Sequence, residues 1–157
     1  MSDSKAYEAL EQSVFSALET YSNVHRGSGH FSMATTSLFE KAREIVLEYL
    51  NLKKDKYTVI FCTPSREIAL RALLNPLDYK CISSLDIGLS IGVRAMAVRS
   101  KALPGGVPFQ SGGGTARLVA RDWVVWADKP DRFEAGTSDN QCYNLCQSIT
   151  FNPSVRK

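Results

Sequence analysis

A run of six residues, Tyr57–Cys62, constrains the fold of this chain more than any other segment. It reads Y-T-V-I-F-C, is rich in β-branched and aromatic residues, and lies between Lys56 and Pro64, as is typical of a short strand. Apolar residues at successive positions indicate that both faces are buried, as in a parallel sheet with helices on each side. The pattern predicts an α/β fold.

Helices are predicted before and after that strand. Apolar residues recur at spacings of three and four over residues 3–21. Ser32 is a candidate N-cap for a second helix that ends near Leu50. Its predicted apolar stripe comprises Leu38, Ala42, Ile45 and Tyr49, with Glu40, Lys41 and Arg43 outward. A third helix is predicted from Pro64 to Leu74.

The second half of the chain favours strands and a long loop. Ile91–Arg99 and Trp123–Trp126 each read as a strand. Pro104–Thr115 separates them as a Gly/Pro-rich loop. Helix, strand, helix and further strands in this order indicate an α/β chain with a reduced sheet.

Composition excludes several classes of protein. The 157 residues suffice for one domain, and 44% hydrophobic and 22% charged residues are ordinary for a soluble globular protein. No apolar run reaches the ~20 residues that span a membrane, and the polar N-terminus does not resemble a signal peptide. The net charge of +3 comes from scattered residues. We therefore expect a cytoplasmic protein that binds neither membrane nor nucleic acid.

The cysteines predict no metal site. Cys62, Cys81, Cys142 and Cys146 form no C-x-x-C pair and no zinc-binding spacing. Free thiols are expected in a reducing compartment. The alternative is a reactive cysteine, although a lone cysteine is usually a small buried apolar residue.

Two segments are candidates for binding an anion such as a phosphate. Gly112–Gly114 followed by Thr115 could bring backbone N–H groups and a hydroxyl close to a phosphate. The alternative is a flexible hairpin loop, because no P-loop lysine follows. Thr63 and Ser65 stand where a strand meets a helix, and helix N-termini bind anions. The alternative there is ordinary helix capping.

Arg132 and two histidines are the remaining candidates. Arg132, within D-R-F-E-A-G-T, could hold a carboxylate with two hydrogen bonds. The alternative is a charge pair at the surface. His25 and His30 flank glycine-containing turns, where a histidine is more often structural than catalytic.

Several motifs, in order, resemble the class V aminotransferase and cysteine desulfurase family of pyridoxal-phosphate (PLP) enzymes. They are Asn23–Gly27, the helix from Ser32 to Leu50, Val59–Thr63, Ile91–Val93 followed by Lys101–Leu103, Phe109–Thr115, Trp126–Asp128 and Arg132–Thr137. The ordered set covers most of residues 20–137, and it is more specific than any of its pieces.

The resemblance implies a fold, a cofactor and site residues. It implies part of the type I PLP-dependent transferase fold, like aspartate aminotransferase, over residues 1–137. The cofactor would be PLP, and the parent enzyme would act on an amino-acid substrate as a homo-oligomer with shared sites. The implied phosphate contacts are Thr63, Ser65, Gly113, Gly114 and Thr115, with the glycine loop serving the neighbouring subunit. The implied substrate contacts are His25 and Arg132.

The chain departs from the family pattern in one way that affects catalysis. A long central block is missing, which in the family carries an aspartate at the pyridine nitrogen, a stacking histidine and the lysine that binds PLP covalently. Counting back from Ile91 places that lysine near Ser84. Lys80 and Asp86 are nearby but stand outside the motif order. We therefore expect no catalytic residue in this chain, and a fragment that is inactive alone. The alternatives are an active short enzyme and a non-catalytic module that pairs with a full-length homologue through the glycine loop.

Two smaller departures concern the phosphate turn and the tail. Pro64–Arg66 stands where the family turn is richer in Gly, Thr and Ala. Residues 138–157 lack the proline and apolar helix that follow the last family motif. One permitted codon set for this tail, read one nucleotide later, encodes P-T-I-N-V-I-T-F-A-K-A-L, which matches the family. The tail is therefore either frameshifted or divergent and poorly ordered.

Overall fold

The computed structural model describes residues 29–87 and 92–136, together with Glu8, Glu11, Gln12 and Phe15. Those four isolated residues are helical, in agreement with the helix predicted over residues 3–21. His25, Cys142, Cys146 and the tail of residues 138–157 lie outside the described residues.

Residues 29–87 and 92–136 form two helices and five strands. They are α1 (His30–Tyr49), β1 (Tyr57–Cys62), α2 (Pro64–Leu73), β2 (Tyr79–Ser83), β3 (Arg94–Arg99), β4 (Ala116–Val119) and β5 (Val124–Trp126). Three 3₁₀ turns lie at Pro76–Asp78, Ser84–Ile87 and Asp131–Phe133. In the described part of the chain, no helix is both long and apolar enough to cross a membrane.

The main sheet has three strands in the order β1–β3–β2, and both pairings are antiparallel. Met96 at its centre lies between Ile60 of β1 and Cys81 of β2. The strand predicted within Ile91–Arg99 is present as β3, and it pairs with β1 from Tyr57 opposite Arg99 to Cys62 opposite Arg94. The expected parallel arrangement is wrong, because β3 is the neighbour of both β1 and β2 in this sheet and is antiparallel to each of them.

Both faces of the sheet are buried, as the sequence predicted. On one face, α1 packs Phe39, Ala42 and Val46 against Val59 and Ala97. The opposite face packs beneath α2, where Leu70 and Leu74 meet Ile60, Met96 and Val98. The result is a three-layer α/β/α arrangement with an antiparallel sheet in the middle.

The buried face of α1 differs from the predicted stripe. Leu38 is 36% exposed, whereas Phe39 and Arg43 are 7% and 5% exposed. Arg43, expected to point outward, lies in the interior with Phe39 and Leu47 at spacings of four. Ser32 is not the N-cap, because the helix begins at His30 and the capping residue is Gly29, whose φ of +98° suits a glycine.

Strands β4 and β5 form a separate antiparallel hairpin. Ala116 pairs with Trp126 and Val119 with Val124, with an irregularity between Ala116 and Leu118. β5 was predicted, but β4 and β2 were not. A short strand such as Ala116–Val119 has too few residues to show a clear alternation of apolar and polar positions.

Candidate functional site

The N-terminus of α2 presents two hydroxyl groups at the end of β1. Thr63 precedes the helix and Pro64 occupies its first turn, where the missing N–H of proline costs nothing. The Thr63 and Ser65 hydroxyls lie 3.1 Å apart and are exposed. Thr63 makes no side-chain capping bond to the helix. The Thr63 side chain therefore does not cap α2, contrary to the alternative of ordinary helix capping.

The glycine loop closes on itself through Thr115. The Thr115 hydroxyl accepts a hydrogen bond from the Gly112 N–H at 3.0 Å and donates to the Gly112 carbonyl at 2.7 Å. Thr115 is only 1% exposed. Its hydroxyl therefore shapes the turn, and its implied contact with phosphate would require these bonds to open.

Gly113 and Gly114 are the open part of the loop. A Cβ atom built on either residue meets nothing within 4 Å. Gly114 has a φ of +84°, which only glycine adopts without strain. Gly112 is different, because a Cβ there would lie 3.1 Å from the Cβ of Ala135. The loop is packed at its start and open at its tip.

The glycine loop and the start of α2 lie together in one chain. Arg66 Nε donates to Gln110 Oε1 at 3.0 Å, and the Gly136 N–H donates to the Gly113 carbonyl at 2.9 Å. A Cβ on Gly136 would lie 3.7 Å from Arg66 Nη2. The two predicted phosphate-binding segments are thus joined through Arg66, Gln110 and Gly136, although the resemblance assigns the loop to a neighbouring subunit.

Arg132 uses its guanidinium on backbone carbonyls. Nε donates to the Ala127 carbonyl at 2.8 Å and Nη1 to the Gly106 carbonyl at 3.2 Å. These bonds tie the Gly/Pro loop to the end of the hairpin. The predicted role of Arg132 in binding a substrate carboxylate stays a prediction, as does that of His25.

The position expected for the PLP-binding lysine holds a buried serine. Ser84 follows β2, is 0% exposed, and its N–H donates to the Val93 carbonyl at 2.9 Å. Within the described residues its hydroxyl has no hydrogen-bond partner. Asp86 accepts from the Ser83 N–H at 2.6 Å, and Lys80 is exposed. Because a serine stands where the lysine is expected, the described residues do not fit a covalently held PLP.

A buried ion pair, missed by the sequence analysis, joins α1 to the C-terminal segment. Arg43 Nη1 and Nη2 donate to the two carboxylate oxygens of Glu134 at 3.1 and 2.9 Å. Asp131 accepts from the same guanidinium at 3.4 Å. The Arg43 guanidinium also lies 4.8 Å from the ring centroid of Phe39, within range of a cation–π interaction. The position of Arg43 among apolar residues of α1 was the signal available in the sequence.

This pair also binds two backbone groups on the outer edge of β1. The Phe61 N–H donates to Glu134 at 2.7 Å, and the Val59 carbonyl accepts from Arg43. Burial raises the pKa of the Glu134 carboxyl to about 7, although Arg43 and the Phe61 N–H oppose the shift. Burial disfavours the charge of Arg43, but Glu134, Glu40 and Asp131 outweigh it and raise the pKa of Arg43.

The two described cysteines are poor nucleophiles. Burial, reinforced by Glu67, raises the pKa of Cys62 to about 12. Burial also raises the pKa of Cys81, while Arg71 opposes this shift. Reactive cysteines have lowered pKa values, so neither residue fits the alternative of an activated thiol. Within residues 29–87 and 92–136, no group of three or more His, Cys, Asp or Glu side chains could hold a metal ion.

Comparison with known proteins connects this geometry to solved structures. A cysteine desulfurase from Thermococcus onnurineus NA1, in its apo form, matches with a TM-score of 0.78 and 15% identity, covering 95% of this chain and 65% of that one. The cysteine desulfurase CsdA (S-sulfonic acid) from Escherichia coli matches with a TM-score of 0.64 and 14% identity, covering 95% and 66%. The chain thus spans slightly less than two thirds of the length of these structures.

These matches confirm the predicted fold. The chain has an α/β architecture that corresponds to part of the PLP-dependent fold of cysteine desulfurases. No curated protein matches the sequence. The sequence model of the family "Aminotransferase class-V" matches residues 3–86, which is more than half of the 157 residues. A match to this family implies dependence on PLP. On this evidence the chain belongs to the class V aminotransferase family.

Proposed function

We propose that this chain is part of a PLP-dependent class V aminotransferase or cysteine desulfurase-like enzyme that acts on an amino acid, and that it is catalytically inactive alone. The observation that carries the proposal is Ser84, which is fully buried at the end of β2 where the family lysine is expected. A serine cannot form the imine through which PLP enzymes anchor and activate the cofactor. The parent enzyme is proposed to be cytoplasmic and homo-oligomeric.

Reduction with borohydride tests the absence of a lysine-bound cofactor. The purified chain is incubated with PLP, reduced and mapped by peptide mass spectrometry. We expect only scattered, substoichiometric labelling of exposed lysines such as Lys80. One dominant, stoichiometric phosphopyridoxyl-lysine contradicts the proposal. A Lys80→Gln variant is the matched control, because it removes the lysine nearest to Ser84 in β2 while leaving labelling elsewhere unchanged.

A second candidate function is a non-catalytic module that pairs with a full-length homologue through the glycine loop. The observation in its favour is the open tip of the loop at Gly113 and Gly114; Phe109, earlier in the same loop, is 37% exposed. An exposed backbone segment of this kind offers N–H and C=O groups to a partner.

Binding to a full-length class V homologue, measured by sedimentation, tests whether the glycine loop mediates pairing. A Gly113→Val substitution should abolish co-sedimentation if the loop mediates pairing, because a larger side chain there stands in the contact. Gly105→Val is the matched control, since a Cβ at Gly105 also meets nothing within 4 Å. Equal binding by both variants excludes the loop as the contact.

A further inference from the structure

A single short segment, Asp131–Gly136, connects two parts of the predicted site. Near its start, the Arg132 guanidinium bonds two backbone carbonyls of earlier loops. At its end, the Gly136 N–H donates to the Gly113 carbonyl of the glycine loop at 2.9 Å. Glu134 lies two residues from Arg132 and two from Gly136, so the placement of Glu134 bears on both.

Two side chains of this segment fasten it to the main sheet. Phe133 is 3% exposed and packs in the apolar cluster beneath α2. Glu134 accepts from the Phe61 N–H of β1 at 2.7 Å and from both terminal nitrogens of Arg43 on α1. Apolar packing is non-directional, whereas a bidentate ion pair fixes orientation as well as distance. The orientation of the segment relative to β1 is therefore assigned to Glu134.

A gain in stability does not by itself account for this buried pair. The side chains of Arg43 and Glu134 are each 6% exposed. Replacing such a pair by apolar side chains of similar volume is often neutral or stabilising, because the desolvation of two charges offsets their attraction. The groups of a binding site, by contrast, must be held within about 0.5 Å of their working positions by supporting bonds. A bidentate pair meets that requirement, and apolar side chains do not.

We propose that Glu134, held by Arg43, is the positioning residue of the predicted site and sets the places of Arg132 and of the glycine loop relative to the end of β1. That strand ends at Cys62, directly before Thr63. The inference rests on the proposed function for the roles of these groups, but their positions can be measured without a ligand. Failure of the proposed function in the borohydride test therefore leaves this measurement intact.

Amide hydrogen exchange of the unaltered chain tests the coupling first. The Phe61 amide reports release of Glu134, and the Gly136 amide reports release of the glycine loop. We expect the two amides, corrected for their intrinsic rates, to show equal opening free energies and the same dependence on urea, because one contact holds both. A corrected rate for Gly136 more than about tenfold above that for Phe61 overturns the proposal.

An apolar replacement of the pair separates positioning from stability. The double variant Arg43→Met, Glu134→Leu should keep most of the stability to urea. The Gly136 amide and the Arg132 Nε–H, followed by NMR, should nevertheless exchange about ten- to a hundredfold faster. The Arg99 Nε–H is the internal control, because it bonds a tyrosine hydroxyl at the other end of β1 and should not change.

Ile82→Ala is the matched control for a general loss of stability. Ile82 is buried in β2, at the opposite edge of the sheet from β1, so its truncation should not change the exchange of Gly136 relative to Phe61. A stable double variant in which Gly136 and Arg132 keep their protection overturns the proposal, since the pair would then only stabilise the fold. If the double variant does not fold, the exchange of the unaltered chain decides.

Discussion

The three-stranded sheet and the β4–β5 hairpin are both antiparallel, but they bury their side chains to opposite extents. Ile60, Met96 and Val98 in the sheet are 0% exposed, whereas Leu118 and Val119 in the hairpin are 59% and 74% exposed. Antiparallel pairing therefore occurs both in a region with buried side chains and in a region with exposed side chains. The sheet is stabilised by removal of apolar surface from water, while the hairpin depends on its backbone bonds and its attachment to the Thr115 turn.

The attachment points of the two regions differ in the same way. The sheet edge is held by Arg43 and Glu134, each with a side chain 6% exposed. The hairpin carries an ion pair between Arg117 and Asp128, whose side chains are 64% and 73% exposed. Buried pairs are strongly destabilising to break, and exposed pairs contribute little. Four measurements test this difference between the buried sheet and the exposed hairpin.

Substitution of the buried arginine should have the largest effect. Arg43→Met removes the partner of Glu134 and a donor to the Val59 carbonyl, so we expect a loss of about 3–5 kcal/mol in the free energy of unfolding. Arg117→Met in the hairpin is the control, with an expected loss below about 1 kcal/mol. Urea denaturation measures both. Equal losses would mean that the buried pair does not hold the sheet.

Truncation of a core side chain should cause the next largest loss of stability. Ile60→Ala leaves a cavity between α2 and the sheet, and we expect a loss of about 2–5 kcal/mol. Val119→Ala in the hairpin removes an exposed side chain and should change stability by no more than about 0.5 kcal/mol. Thermal and urea unfolding of the two variants give the comparison, and a large effect of Val119→Ala would show that the hairpin buries more than this structure describes.

The pH dependence of stability should report on Glu134. Its pKa in the folded chain is raised to about 7 from 4.5, so the folded state binds the proton more tightly than the unfolded state. The stabilisation from that proton is complete below the unfolded value and is lost as the pH rises through about 7.

A Glu134→Gln variant isolates this contribution because glutamine does not titrate. The stability of the unaltered chain relative to the variant should fall between these two pH values, by an amount on the order of 3 kcal/mol. Urea unfolding at several pH values measures it. A constant difference across the range would mean that the carboxyl has the same pKa in both states.

The smallest effect is expected in the glycine loop. Thr115→Val removes both hydrogen bonds between the hydroxyl and Gly112, so we expect a loss of about 1–2 kcal/mol. The Ala127 amide, which bonds the Thr115 carbonyl at 2.9 Å, should exchange faster, while the amides of β3 should not. Exposed Ser111→Ala is the control. Uniformly faster exchange in the sheet would show that loop and sheet unfold as one unit.

Local patterns predicted much of the fold. The bounds of β1 agree with the prediction because a β-rich run ends before a proline. The start of α2 at Pro64 also agrees, since proline suits the first turn of a helix. β2 was missed because Tyr79–Ser83 contains Lys80 and two small polar or thiol residues, a pattern too weak for a strand. Phosphate and substrate roles stay predictions, because no contact to a ligand tests them.

Residue identities and the order of motifs were enough to predict the family and the α/β class, and to show that position 84 is a serine rather than a lysine. The antiparallel pairing and the interior position of Arg43 became visible in the folded chain and not in the sequence. Hydrophobic periodicity shows which face of a helix is apolar. It does not show whether a charged residue on that face has an oppositely charged partner far away in the sequence. Glu134 is 91 residues from Arg43, and the charge of Arg43 is tolerated in the core because folding brings that carboxylate to it.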